Sequence, residues 1–389
     1  MLDNYRGIYF LGIGGVGMSG LANWCKVKLI KEIAGYDRQE SFFTNQLKAN
    51  NIFIQHNESI KLIPSSFLDN KKTLIVYTPA ISRNNLLYQF FKKHQFKIIK
   101  RADLLALISQ NYSVIAISGT HGKTTTSIML AHILKSSGFN VSALFGGVSN
   151  NYNANFICEK NTSNSSQYMV IEADEYDRSF LKLQPLITLI TSLDKDHLET
   201  YPSEGDMFHA YIQFILVNTL KNEHQISNNL QKNKFPQPHV FMPNNVYDKL
   251  NEFIYHEEKK KREIFNVKNI SQYSFQEKDD FGLFHNFPEH NFKNALSACK
   301  IAEYIGVSND EIIKSFKTYK GVKRRFEYHV NLPGKILIDD YAHHPVELYY
   351  LISSIRKLHP GHKIFFIFQP HLYSRTRDLE KDFCKVLSL

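Results

Sequence analysis

Twice in this chain an apolar run that reads as a buried strand ends in a glycine turn and passes straight into a helical stretch. The first run, Gly7 to Leu11, leads into Gly12-x-Gly14-Gly15-x-Gly17 and a helical reading from Met18 to Ile30. The second, Val114 to Ile117, leads into Ser118-Gly119-Thr120-His121-Gly122-Lys123-Thr124-Thr125-Thr126 and a helical reading from Ser127 to Lys135. A strand feeding a helix through a tight glycine turn opens a βαβ unit, so the chain is constrained to an α/β fold with largely parallel sheets.

The second turn carries the sharper chemistry. The first amides of a helix have no internal partner and carry partial positive charge. Glycine lets the backbone approach phosphate oxygens, Lys123 can neutralise them, and Thr124 can ligand Mg²⁺. Gly119, Thr120, His121, Gly122, Lys123, Thr124 and Thr125 therefore form the candidate cradle of an ATP triphosphate. The loop is shorter than the generic phosphate-binding pattern, whose first glycine position here holds Ile117. In the first loop, Gly12, Gly14, Gly15 and Gly17 are followed by Asp37 at the spacing of the dinucleotide fingerprint, where a strand-end acid meets a ribose or base.

A length of 389 residues suggests roughly two to four domains. The expected units are 1–103, a Rossmann-like domain; 104–321, a central parallel-sheet domain; and 322–389, a partial domain of strands 335–339 and 363–368 alternating with helices. Such a third unit is about half of a typical domain, so it either leans on the others or belongs to an incomplete chain. Residues 220–278, rich in Lys, Asn and Gln, give no clear reading, and 161–167 read as a surface loop. The net charge of +10 is spread along the chain, and the one dense run, Lys259 to Arg262, is flanked by glutamates. Neither argues for nucleic acid; a basic surface suits an anionic nucleotide. No stretch of about 18 apolar residues suggests a membrane span, the first residues lack the order of a signal peptide, and four scattered cysteines form no framework, which fits a cytoplasmic protein.

Other candidates stand where apolar strands end. Glu172, in Glu172-Ala173-Asp174-Glu175, is placed either to hold Mg²⁺ beside the loop or to begin an acidic surface loop. His197 follows another such strand and reads as a metal ligand, a phosphate partner or a capped loop residue. Asn291 and Asn294 open a helix, where asparagine serves as a cap or reads an adenine edge. Asp340 and His343 lie in one strand-to-helix turn and His371 and Arg375 in the next, so both turns should line one edge. Arg324 and Arg325 suit a carboxylate or phosphate, or an exposed domain joint.

Taken in order, Gly12 to Gly20, Gly119 to Thr125, Glu172 to Glu175, Asp196-His197, His290-Asn291-x-x-Asn294-Ala295, Gly321 to Glu327, Asp339 to Pro345 and Gln369 to Asp378 resemble the Mur ligases, the peptidoglycan-precursor family. The likeness is nearest to the branch that joins L-alanine to UDP-N-acetylmuramate. It implies three α/β domains binding UDP, ATP with Mg²⁺, and the amino acid, in a monomer or weak homodimer. It implies an acyl-phosphate route, with Lys123 on the β- and γ-phosphates, Thr124 and Glu172 on one Mg²⁺, and His197 on a second. Asn291 and Asn294 would lie near adenine, and Arg324 and Asp340 near the phosphates or ribose. His343, His371 and Arg375 would position the alanine and acyl phosphate. Gly12, Gly14, Gly15, Gly17, Ser19 and Asp37 would serve the UDP substrate. One position departs from the pattern: Leu372 stands where arginine is frequent. The branch that attaches a recycled murein tripeptide shares most of these motifs, and a truncated nucleotide-binding protein with little activity is the reading from another class.

Overall fold

The computed structural model describes residues 2–29, 31–158, 167–194, 200–220, 237–257, 269–275 and 287–389. The first sheet is fully parallel, in the order β3-β2-β1-β4-β5. Its strands are β1 (Gly7–Leu11), β2 (Glu32–Tyr36), β3 (Phe53–Gln55), β4 (Thr73–Tyr77) and β5 (Lys97–Lys100). Strands β1 and β4 are buried along their whole length. Their side chains alternate between two apolar layers: Ile8 and Phe10 enter one cluster, Tyr9 and Leu11 the other. Such two-sided burial is what an uninterrupted apolar run requires. The chain winds outward from β1 to β3, then returns to place β4 on the other side of β1. That reversal opens a crevice at the carboxyl ends of β1 and β4, above Gly12.

The second sheet holds seven strands in the order β12-β11-β10-β6-β9-β7-β8. They are β6 (Ser113–Ser118), β7 (Val141–Ser149), β8 (Ala154–Ile157), β9 (Tyr168–Glu172), β10 (Ile187–Ile190), β11 (His239–Pro243) and β12 (Ile270–Tyr273). All neighbours run parallel except β8, which turns back along β7. Helices Lys123–Ser136 and Glu289–Ile305 cover the face of Ile115 and Ile117. The opposite face, with Val114, Met169 and Ile171, joins the apolar cluster that contains Trp24, Leu21 and Leu105 beside the first sheet. The two sheets therefore share one core. Residues 220–278, which gave no sequence reading, supply β11, helix Asn244–Glu257 and β12. Their cue is weak because the two strands are only four or five residues long, and 221–236, 258–268 and 276–278 lie outside the described residues.

Polar contacts also cross the joint, and one of them is buried. Helix Val16–Lys28 packs against β7 and β8, where the buried Asn155 donates through Nδ2 to the Val16 carbonyl at 2.6 Å and to Ser19 Oγ at 3.0 Å. Gly20 makes the approach possible, since a Cβ there would stand 3.2 Å from Asn155.

In the third unit, β13 (Glu327–Leu332) and β14 (Lys335–Asp339) form an antiparallel hairpin. This corrects the expected parallel start. Residues 363–368 form no strand: Phe365 is 83% and Ile367 96% exposed. The hairpin partner β13 pairs with β14 on one edge, and among the described residues no strand lies beside 363–368 to take its backbone groups. Helix Pro345–Leu358 packs on helix Glu380–Leu387 through Leu348, Ile352, Phe383 and Val386.

Asn155→Ala removes both hydrogen bonds that this buried amide makes to the first helix, to the Val16 carbonyl and to Ser19 Oγ. Urea unfolding is expected to show a loss of about 1–3 kcal/mol; a variant as stable as wild type would show that this contact does not hold the joint.

Candidate active site at the phosphate loop

The loop after β6 is built by close contact. Gly119 has φ +123°, and a Cβ there would stand 2.3 Å from Thr191 Oγ1 and 2.8 Å from the Ser192 amide nitrogen, so only glycine fits. The segment after β10 ties the loop down. Thr191 Oγ1 donates to the His121 carbonyl at 2.5 Å, the His121 amide donates to Ser192 Oγ at 2.9 Å, and the Asp194 amide donates to Thr120 Oγ1 at 2.9 Å. Gly122, at φ +82°, turns the chain into helix Lys123–Ser136. Asn294 from helix Glu289–Ile305 lies directly over it, its Oδ1 2.3 Å from where a Cβ would be.

Charge converges where β6 and β9 end. Lys123 Nζ donates to the Gly119 carbonyl at 2.6 Å and to Glu175 Oε1 at 2.8 Å. Burial alone would lower the Lys123 pKa, but Glu175 and Asp174 hold it above the ordinary lysine value, so it stays an ammonium. Thr124 Oγ1 donates to Glu172 Oε1 at 2.9 Å, and the Gly146 amide donates to Glu172 Oε2 at 2.6 Å. A Cβ on Gly146 would stand 2.6 Å from Glu172, so the backbone of β7 can reach this carboxylate only through glycine. Burial pushes the Glu172 carboxyl up, and Lys123, Gly146 and Thr124 offset that only in part.

Two clefts meet at this point. One, of about 800 Å³, is lined by the loop, Glu172, Asn291, Asn294, Arg325, Asp340, His343 and Arg375. The other, of about 510 Å³, runs from Gly15 and Gly17 past Arg101 and Asp174. Lys123, Gly146 and Glu172 line both. A ligand phosphate lying in the first cleft is thus within reach of a ligand lying in the second.

Most expected residues are gathered here, and some are not. Asn291 lines the first cleft with its Oδ1 buried and lacking a hydrogen-bond partner among the described residues. Asp340 accepts from the Phe326 and Ala342 amides, both at 2.7 Å, and burial pushes its carboxyl up to about 6. Of the two adjacent arginines, Arg325 and not Arg324 lines this cleft. The backbone at Arg324 takes φ +58°, its half-exposed side chain turns to Asp339 at 3.5 Å, and Arg325 enters the cleft instead. Ser19 is buried on Asn155 and does not line the second cleft. Asp37 faces the first glycine loop, with Oδ2 accepting from the Gly14 amide at 2.8 Å, while Gly12 shapes the turn at φ +85°. His371 is exposed, its ring 5.4 Å from that of His343. His197 lies outside the described residues. Glu175, Arg101 and Glu347 had no assigned role; Glu175 was visible within an acidic run, whereas Glu347 is a helix glutamate with no local cue.

Family models match the chain in the same three-part order. The Mur ligase family catalytic domain matches residues 7–113, the Mur ligase middle domain 117–302, and the Mur ligase glutamate ligase domain 324–388. The UDP-N-acetylmuramate–L-alanine ligase of Christiangramia forsetii is 36% identical over 393 residues, covering 100% of this chain and 82% of its own length. The enzyme of the same name from Flavobacterium psychrophilum is 38% identical over 399 residues, with the same coverage. This chain belongs to the Mur ligase family. Its fold is that of solved Mur ligases: the UDP-N-acetylmuramate-alanine ligase of Thermotoga maritima superposes with a TM-score of 0.71 at 22% identity, over 98% of this chain and 83% of the other. A murein peptide ligase from Psychrobacter arcticus gives 0.66 at 22% identity, over 94% and 81%. In this Mur ligase, the glycine loop, Lys123 and the strand-end acids share one corner of the middle sheet.

His290, beside Asn291, is held neutral: burial first, then Arg325, lowers its pKa from 6.5 to about 4. The unfolded chain therefore binds a proton that the folded chain refuses, and this residue subtracts stability as pH falls below about 6.5. His290→Asn should gain about 2 kcal/mol relative to wild type between pH 7 and pH 5 in paired urea titrations. Parallel profiles for the two proteins would show that the buried ring does not titrate in this way.

Proposed function

We propose that this chain joins L-alanine to the carboxylate of UDP-N-acetylmuramate at the expense of ATP, in the synthesis of peptidoglycan precursor. The observation that carries the reading is the meeting of two clefts at Lys123 and Glu172. ATP lies in the first, with its phosphates on the loop, and the nucleotide sugar lies in the second, with its diphosphate toward Gly15 and Gly17. The names of the relatives that match across the whole chain support the same choice of substrates.

The acceptor carboxylate oxygen attacks the γ-phosphorus, the bond from that phosphorus to the β–γ bridging oxygen breaks, and ADP leaves. The amine of L-alanine then attacks the acyl carbon, the carbon–oxygen bond to phosphate breaks, and the nitrogen gives up a proton as the amide forms. No protein nucleophile is required; alignment and charge neutralisation supply the rate. Lys123 serves by exchanging its Glu175 contact for phosphate oxygens, and the amides that open helix Lys123–Ser136 face the same charge. Asn291 and Asn294 face the base end of the cleft. Arg325 and Arg375 supply paired donors for the alanine carboxylate, and His343 stands beside them. Thr124 and Glu172 form an all-oxygen pair that suits Mg²⁺, and a buried carboxylate with a raised pKa gains from a cation. When bound there, Mg²⁺ would neutralise charge developing on the transferred phosphoryl group. His197 is retained in this reading as a second metal ligand. The reaction is placed in the cytoplasm, in keeping with the scattered cysteines of the sequence.

Phosphate release is expected only when ATP, Mg²⁺, UDP-N-acetylmuramate and L-alanine are all present. Release that persists without the sugar nucleotide or the amino acid would overturn the proposal, and a tripeptide that replaces L-alanine efficiently would redirect it. Lys123→Ala is expected to cut kcat by about 100-fold or more, because the phosphate charge loses its nearest cation.

A further inference from the structure

The wall of the nucleotide cleft opposite the phosphate loop is helix Pro345–Leu358, and one of its side chains crosses the gap. The Glu347 carboxylate lies 3.2 Å from His121 Nδ1 through Oε1, and the same oxygen lies 3.8 Å from Arg325 Nη1. Its Oε2 accepts from the His343 amide at 3.0 Å and lies 3.6 Å from His343 Nδ1. His121 in turn places Nε2 3.6 Å from Asp194 Oδ2 and packs its ring 5.0 Å from that of His344. The Glu347 side chain is mostly buried. Burial alone would raise its pKa, yet its bond to His121 and the charges of His121, Arg325 and His343 hold it well below the usual carboxylate range, so it remains an anion.

A buried carboxylate facing an empty gap would be costly, so this contact is stable only when the phosphate loop and the third unit are brought together. Among the described residues it is the hydrogen bond that runs from the third unit directly to a side chain of the phosphate loop. His121 is also the residue whose backbone is pinned by Thr191 and Ser192, so a pull on its ring acts on a loop already fixed at the other end. An ammonium or guanidinium at position 347 could not replace it, because His121 and Arg325 both present donors.

We propose that Glu347 is a positioning residue that couples docking of helix Pro345–Leu358 to the geometry of the phosphate loop through His121. It need not touch the reacting atoms. This rests on the reading of the first cleft as the ATP site. When the third unit is docked, Glu347 orients His121 and holds Arg325 on the facing wall, so the phosphates meet a finished cradle. Without that contact the loop still folds, but nucleotide and third unit no longer strengthen each other.

The test is a double-mutant cycle on binding of a non-hydrolysable ATP analogue with Mg²⁺, followed by calorimetry, with turnover measured in parallel. Glu347→Ala and His121→Asn are each expected to weaken binding about tenfold, and the double variant is expected to lose about tenfold rather than a hundredfold. Glu347→Gln, which keeps the shape and one acceptor, is expected to fall between Glu347→Ala and wild type. In turnover, the KM for ATP should rise more than kcat falls. Binding of UDP-N-acetylmuramate in the second cleft should stay within about twofold, a readout that general unfolding would move. Additive losses in the cycle, or a Glu347→Ala protein that binds the analogue as wild type does, would overturn the proposal. Wild-type protein that binds no nucleotide would instead overturn the reading of the cleft itself.

Discussion

A buried ammonium held between carboxylates at the ends of parallel strands is the constraint on which the site depends. Lys123 sits among Glu172, Asp174 and Glu175, with Glu175 in direct contact. An isolated charge at this depth would be strongly unfavourable, and so would the acids without it. Each side therefore requires the other, and both require β6 and β9 to lie side by side, because one supplies the loop and the other the acids. The same arrangement leaves the oxygens of Thr124 and Glu172 and the Lys123 cation lining one cleft. Under the proposed function, chemistry and stability make opposite demands on the same residues: the groups of the cluster satisfy one another, and those contacts must be exchanged for substrate.

The second requirement is rigidity between the first two sheets. A ligase that holds two substrates in separate clefts gains rate only if the clefts keep their spacing. Here that spacing is set by an apolar cluster running from Trp24 and Leu105 to Met169 and Phe180, and by Asn155 against the first helix. The third unit is attached differently. Its own apolar cluster is small, and it meets the phosphate loop through a polar contact, Glu347 on His121, with Arg325 and His343 gathered around the same carboxylate. A wall held by such a contact can be exchanged against ligand charge more readily than one held by packing, which suits the place that the proposed function gives it, between nucleotide and amino acid.

Sequence reading succeeded where a local rule had a local cause. The two glycine loops, the buried strands around them and the strand-end acid Glu172 were legible because periodicity, positive-φ glycines and helix termini are short-range features. It failed where the outcome depended on a distant neighbour. Residues 363–368 have every mark of a strand, but a strand exists only beside a partner. Arg324 and Arg325 are identical in type, and the left-handed backbone at Arg324 decides which one enters the cleft. Ser19 lies within a glycine-rich motif but is claimed by Asn155, far along the chain. Glu347 gave no cue because its partner, His121, lies 226 residues earlier, across most of the middle unit.

The amino-acid sequence by itself determined the α/β class, the two strand-to-helix glycine turns and the kinds of side chain available to them, since these follow from the steric freedom of glycine and the unpaired amides of a helix start. Only the tertiary structure decided that the two turns open into clefts sharing one lysine and one glutamate, that Arg325 rather than its neighbour faces inward, and that Glu347 closes the gap to the loop. Those outcomes are set by which strand lies next to which and by which buried charges can find partners, and both are properties of the folded whole.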